Sequence, residues 1–155
     1  MSTKKEFLSQ EVPTLLTSLT ADQVPAFGLM TPQHMIEHLT SSIKASVKRY
    51  GDPDPALAEK QAGFKRFIAK GAILQHRPSN KTAADLPAYK YATLAEAITH
   101  IPVAIDRFYT HFEAQPDFIS YNMFMGELNF EDLELFNYQH VRYHLWQFGL
   151  LPAYP

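Results

Sequence analysis

Two segments of this chain open on a helix-capping residue and close on a glycine, with apolar residues recurring at helical period in between. In the first, Thr31 suits the N-cap, Pro32 the first helical position and Gly51 the stop, and Met35, Ile36, Leu39, Ile43 and Val47 mark one buried face. In the second, Asn129 caps, Asp132 stands at the third position and Gly149 ends the helix. A third helix opens on Thr93 with Glu96 three residues on and runs to about Ala114. Ile98, Ile101, Ile105, Phe108 and Phe112 share its face, and Pro102 is expected to kink it. Amphipathic helices of this kind must bury their stripes against one another, so the pattern restricts the chain to helix-on-helix packing.

The rest of the chain fits that frame. A first helix is expected over residues 4–20, and Pro13 either kinks it or marks its true start. Asp52-Pro53-Asp54-Pro55 reads as a turn, followed by a shorter helix over 56–70 that Gly71 closes. Residues 71–91 and 117–128 look irregular. Arg77-Pro78-Ser79-Asn80 and Asp85-Leu86-Pro87 are loop chemistry, and a long structureless stretch of this kind is suited to folding over an opening in a bundle. No run alternates for long enough to make a convincing strand. With 155 residues the expectation is one domain spanning 1–155, all-α, as a four-helix bundle with one extra short helix.

Composition narrows the partners. The formal charge is −2, and Lys44, Lys48, Arg49, Lys65 and Arg66 form no dense stripe, so nucleic acid is set aside as a partner. The absence of cysteine removes disulfides, thiolate catalysis and Cys-ligated zinc. The N-terminus lacks an apolar run with a cleavage site, and no segment reaches the ~20 apolar residues of a membrane span, so no membrane role and a cytoplasmic location are expected. Tyr89, Tyr91 and Tyr154 could form a contact between copies, and a homodimer is a possible state.

The chemistry lies in the seven histidines. His140 and His144 are four apart on the last helix, so they project from one face one turn apart, beside Phe136, Asn137, Gln147 and Phe148. Two core-facing imidazoles are costly to charge and need partners when neutral. Shared ligation of a metal ion meets both needs; hydrogen bonds to each other, to Asn137 or to tyrosines are the competing explanation. The second helix carries another such pair, His34 and His38, with Met35, Leu39 and Ser42 flanking His38. One or two histidines from that helix with two from the last would make a three- or four-histidine site. His34-x-x-Glu37-His38 also matches the H-x-x-E-H pattern of the inverzincin proteases. So short a motif arises by chance, and a bundle of this length leaves little room for a peptide cleft. Glu37 is a weak general-base candidate, because consecutive helical residues point about 100° apart. His76 falls in the long loop, and His100 and His111 read as surface or helix-end residues.

The segment FMGELNFEDLELFNYQHVRYHLWQFGLLP, with PAFGLMTPQHMIEHL near the start, resembles the DinB/YfiT-like superfamily, in particular a bacterial branch with a C-terminal HxxxHLxQFG signature. The likeness covers nearly the whole chain. His140, His144, Leu145, Gln147, Phe148 and Gly149 carry its later part, and Phe27, Gly28, Met30, Met35, His38 and Leu39 the earlier. It implies a four-helix bundle of DinB-like type with a long crossover connection, and a divalent metal ion (Zn, Ni, Fe or Mn) held by His38, His140 and His144. His34 has no counterpart among those ligands and ranks as pocket wall or as a satisfied surface histidine; Asn137 and Gln147 are the other pocket candidates. The chain departs from its relatives in having Tyr143-His144 where they show two adjacent histidines, and Asn122-Met123 where they often have His-Pro. Both changes alter the pocket beside the metal.

The resemblance implies a metal-dependent hydrolase, or a transferase moving a low-molecular-weight thiol onto a small-molecule electrophile. The alternative is a non-catalytic metal- or ligand-binding bundle of stress-response type.

Overall fold

The computed structural model describes residues 1–71 and 79–153, and these form five helices with one small β-hairpin. The first helix, α1, is built of three consecutive pieces, Lys4–Glu6, a π-helical stretch Phe7–Glu11, and Val12–Leu16. Thr3 caps it, and the Glu6 carboxylate accepts the Thr3 N–H at 2.7 Å. The helix therefore starts well before Pro13 and passes through it. The wider turn just ahead of that residue accommodates a ring that cannot donate.

Helix α2 is Pro32–Ala45. It stops short of Gly51 because Lys48–Tyr50 leaves the helix to pair with Tyr121. Tyr50 N–H donates to Tyr121 O at 2.8 Å and Tyr121 N–H returns to Lys48 O at 3.3 Å. Helix α3, Ala58–Ala69, follows a 3-10 turn at Pro55–Leu57 that the Asp54 carboxylate caps. Helix α4, Leu94–Ala114, continues through Pro102.

The hairpin corrects the all-helical expectation. Strands β1, Ser120–Asn122, and β2, Gly126–Leu128, pair antiparallel in a stretch that reads as irregular in the sequence. Three residues are too few to display alternation, so the hairpin depends on local devices. Asn122 Oδ1 accepts the N–H groups of Phe124 and Met125 in the turn. Gly126 has φ +76°, and a Cβ there would meet Gln61 Cβ at 2.8 Å.

Helix α5, Phe130–Gln147, is the central element, touching α1, α2 and α3. The Asn129–Asp132 capping box opens it as expected. It closes in a Schellman motif, with Leu150 N–H on Leu145 O at 2.8 Å, Gly149 N–H on Trp146 O at 2.9 Å, and Gly149 at φ +71°. The core runs through Leu8, Leu16, Met35, Ile36, Leu39, Ile101, Phe108, Leu133, Val141 and Leu145, all at most 1% exposed. No helix of the described residues is long and apolar enough to cross a membrane.

Candidate metal centre

A central helix has little solvent-facing surface, so its polar side chains must find partners inside the protein. Helix α5 buries Asn137, Gln139, His140, His144 and Gln147. Asn137 solves the problem with Ser46 at the end of α2, donating to Ser46 Oγ at 3.1 Å. His140 and His144 face a third imidazole. Helix α2 brings His38 across from them, so that His38 Nε2 lies 2.9 Å from His140 Nε2, and His144 Nε2 lies 3.1 Å from the same atom. The ring centroids are 4.9, 5.0 and 4.8 Å apart for the pairs 38–140, 38–144 and 140–144. His140 is 9% and His144 6% exposed, whereas His38 stands at a solvent-exposed rim. The ring of Phe136, one turn before His140, stacks against it at 5.1 Å.

Burial governs the charge of the cluster. It pushes His144 down to about 4, against a raising hydrogen bond from Gln147 and with a lowering contribution from His38. It holds His140 well below the ordinary range, aided by repulsion from His144 and His38, and it lowers His38 as well. Three neutral imidazoles therefore meet near neutral pH.

Hydrogen bonding alone satisfies that meeting poorly. A neutral ring nitrogen carries one hydrogen or one in-plane lone pair, so His140 Nε2 can make one well-aligned bond but faces two nitrogens. A shared cation fits the geometry better. Nitrogen ligands about 2.0–2.1 Å from a tetrahedral zinc lie roughly 3.3 Å from each other, and the two close separations here are 2.9 and 3.1 Å. Among the described residues, His38, His140 and His144 are the group whose ligand atoms, all within 4.8 Å of one another, could hold a metal ion.

The other expected pocket residues go elsewhere. His34 closes the capping box of its own helix. Its Nδ1 accepts from the Thr31 hydroxyl at 2.8 Å, its Nε2 meets Pro87 O at 2.9 Å, and its ring packs on Tyr89. Glu37 is buried against residues 90–91, accepting from Lys90 N–H at 2.9 Å, Gln33 Nε2 at 3.0 Å and Tyr91 N–H at 3.2 Å. With both its first histidine and its glutamate committed to these contacts, the H-x-x-E-H pattern builds no protease site. Gln147 does join the cluster, its Oε1 lying 2.7 Å from His144 Nδ1. His100 stacks on Tyr91 at 4.0 Å. His111 stands in the last turn of α4, the helix-end position expected; its Nε2 is buried with no hydrogen-bond partner among the described residues, and its ring is edge-on to Phe118. His76 and Tyr154 lie outside the described residues.

Two contributors carry no signal in the sequence. Ser46 is an ordinary helix-end serine until Asn137 is set against it. The Phe27 carbonyl, which accepts from Gln147 Nε2 at 2.7 Å, is a backbone group that no residue type advertises.

A family model described as a protein of unknown function, DUF1569, matches residues 9–149. That span includes all three histidines of the cluster together with α2 to α5 and the hairpin. No curated protein and no solved structure matches the chain.

Proposed function

The chain belongs to the DUF1569 family of proteins of unknown function, and we propose that His38, His140 and His144 hold a divalent metal ion in a catalytic site of DinB-like type. The observation that carries this reading is the convergence of three Nε2 atoms from two helices, with 2.9 and 3.1 Å between neighbours. An all-imidazole donor set suits Zn, Ni or Fe and admits Mn. Three protein ligands leave a coordination position open, the arrangement typical of catalytic rather than structural sites. The exposed edge of His38 lies on the side from which a small molecule would approach.

When bound, such an ion supplies Lewis acidity, which lowers the pKa of a water or thiol and polarises an electrophile. The chain's own part is to bind, orient and dry the site. His140 and His144 are buried on α5, Phe136 covers one face of His140, and burial keeps the rings neutral. Glu37, spent on the backbone of residues 90–91, offers no proton acceptor to the cluster. The reading extends to a hydrolase, or to a transferase that moves a low-molecular-weight thiol onto a small electrophile, within the DinB/YfiT-like superfamily.

Elemental analysis of tag-free protein, beside His144→Ala prepared identically, tests the site. Near-stoichiometric metal in the parent and none in the variant is the expected result. A parent that stays metal-free after reconstitution with Zn, Ni, Fe and Mn would overturn it. Thiol and ester substrates are then screened on whichever metal form loads.

A further inference from the structure

We infer that Gln147 is a positioning residue that commits His144 to present its Nε2 lone pair to the histidine cluster, and that the connector residues Phe27 and Gly28 fix Gln147 in that role. The inference rests on the metal-site reading above for its consequence, but its structural half stands on the hydrogen bonds alone.

The Phe27 carbonyl oxygen can only accept, so the Gln147 amide must turn its NH2 group towards it, at 2.7 Å. That leaves Gln147 Oε1, an acceptor, 2.7 Å from His144 Nδ1. His144 Nδ1 must then carry the hydrogen, and the neutral ring has its lone pair on Nε2, the atom that faces His140. Gln147 is 3% exposed, so water competes little for either end of the amide. The hydrogen bond from Nδ1 also holds the ring plane, as partners behind metal-ligating histidines commonly do.

The connector is shaped for this contact. Gly28 has φ +84°, a conformation that favours glycine, and a Cβ there would lie 2.9 Å from Gln147 Nε2. The same connector is clasped a second time, Ala26 N–H donating to the backbone carbonyl of Gln147 at 2.8 Å. The metal site therefore reaches beyond its two ligand-bearing helices to residues 26–28, just ahead of α2 and more than a hundred positions from Gln147 in sequence.

Two variants separate positioning from mere support. Gln147→Glu keeps an acceptor for His144 Nδ1 but loses the donor to Phe27, whereas Gln147→Leu loses both. If Gln147 positions the ligand, Gln147→Leu weakens zinc binding about 10- to 100-fold, measured by competition with a chromophoric chelator, and Gln147→Glu stays within a few-fold of the parent. Equal loss in both variants, or none in either, would overturn the inference. A second measurement needs neither variant nor metal: 15N NMR of the imidazoles in the parent protein should show His144 in the Nδ1–H form. An Nε2–H form would also sink it. A parent that shows the Nδ1–H form yet binds no metal would remove the proposed function while leaving the hydrogen-bond relay intact.

Discussion

His34 and His38 are four residues apart on α2, and His140 and His144 are four apart on α5, yet the two pairs meet different fates. Both members of the second pair join the cluster, whereas the first pair is split. Position along the helix accounts for the difference. His34 is the third residue of α2, where the first turn leaves N–H groups without helical partners, and its ring serves that local need together with Thr31. His140 and His144 lie in the last turns of α5, far from its N-terminal N–H groups, and both are buried. The tautomers differ in step. His34 accepts at Nδ1 and gives its Nε2 hydrogen to Pro87 O; His144 gives its Nδ1 hydrogen to Gln147. Spacing thus decides which rings share a helix face, and the partner of the second nitrogen decides which of them offers Nε2 outward.

The sharpest break of this comparison is to remove one ring from the cluster. His140→Ala should abolish stoichiometric metal binding, since His140 Nε2 is the atom common to both short contacts. Metal content by elemental analysis reads it. Retained metal would mean that the convergence of α2 and α5 is not what binds.

The next effect concerns acid. His144 titrates near 6.5 when unfolded and is pushed down to about 4 by burial in the metal-free protein. Below the unfolded value the unfolded chain takes up a proton that the folded chain refuses, so stability is full above pH 6.5 and falls as the pH drops towards 4. His144 alone accounts for about 3 kcal/mol over that window, and His140, shifted in the same direction, adds to it. Urea unfolding of the metal-free protein at pH 7 and pH 4.5 would show the loss. His144→Phe, which cannot titrate, should make the profile shallower and leave the share that His140 carries, and an unchanged profile would mean the His144 ring is already charged in the fold.

Glu37 tests the neighbouring position between the two α2 histidines. Burial raises its pKa, but the N–H donors of Lys90, Gln33 and Tyr91 and the Lys90 charge outweigh that, and the net shift is downward. It therefore contributes stability that is present above its unfolded value near 4.5 and is lost as the pH falls below it, under the histidine window. Glu37→Leu leaves three donors without their acceptor and should cost about 2 kcal/mol in denaturant unfolding. Metal content should not change. Loss of metal with fold intact would place Glu37 in the site after all.

Much of this was legible in the sequence, and for identifiable reasons. The caps at Thr31, Thr93 and Asn129 and the stop at Gly149 are local chemistry, and local chemistry reads directly. That one or two histidines of α2 can meet His140 and His144 follows from helical period plus the packing of amphipathic faces; the choice of His38 over His34 is what the resemblance to the DinB/YfiT-like superfamily implies. What did not read through depends on non-local pairing. The end of α2 at Ala45 is set by Tyr121, some seventy residues on, which draws Lys48–Tyr50 into extended pairing before Gly51 can act as a stop. The hairpin is too short for its alternation to show. The commitment of Glu37 to residues 90–91 and of Gln147 to Phe27 runs through backbone groups, which every residue has and no sequence pattern marks.

The smallest effect returns to His34 and sharpens the split most directly. If its ring is a cap, His34→Ala should lower stability by about 1 kcal/mol and leave metal content as it was. His34→Glu should recover part of that loss, because a carboxylate at the third position reaches the Thr31 N–H and sits well against the positive end of the helix. It cannot restore the hydrogen that Nε2 gives to Pro87 O, so recovery stays incomplete. Thermal unfolding of the three proteins, with metal content measured on the same samples, separates the readings. Metal lost in both variants at unchanged stability would make His34 a fourth ligand and close the coordination position that the proposed chemistry requires.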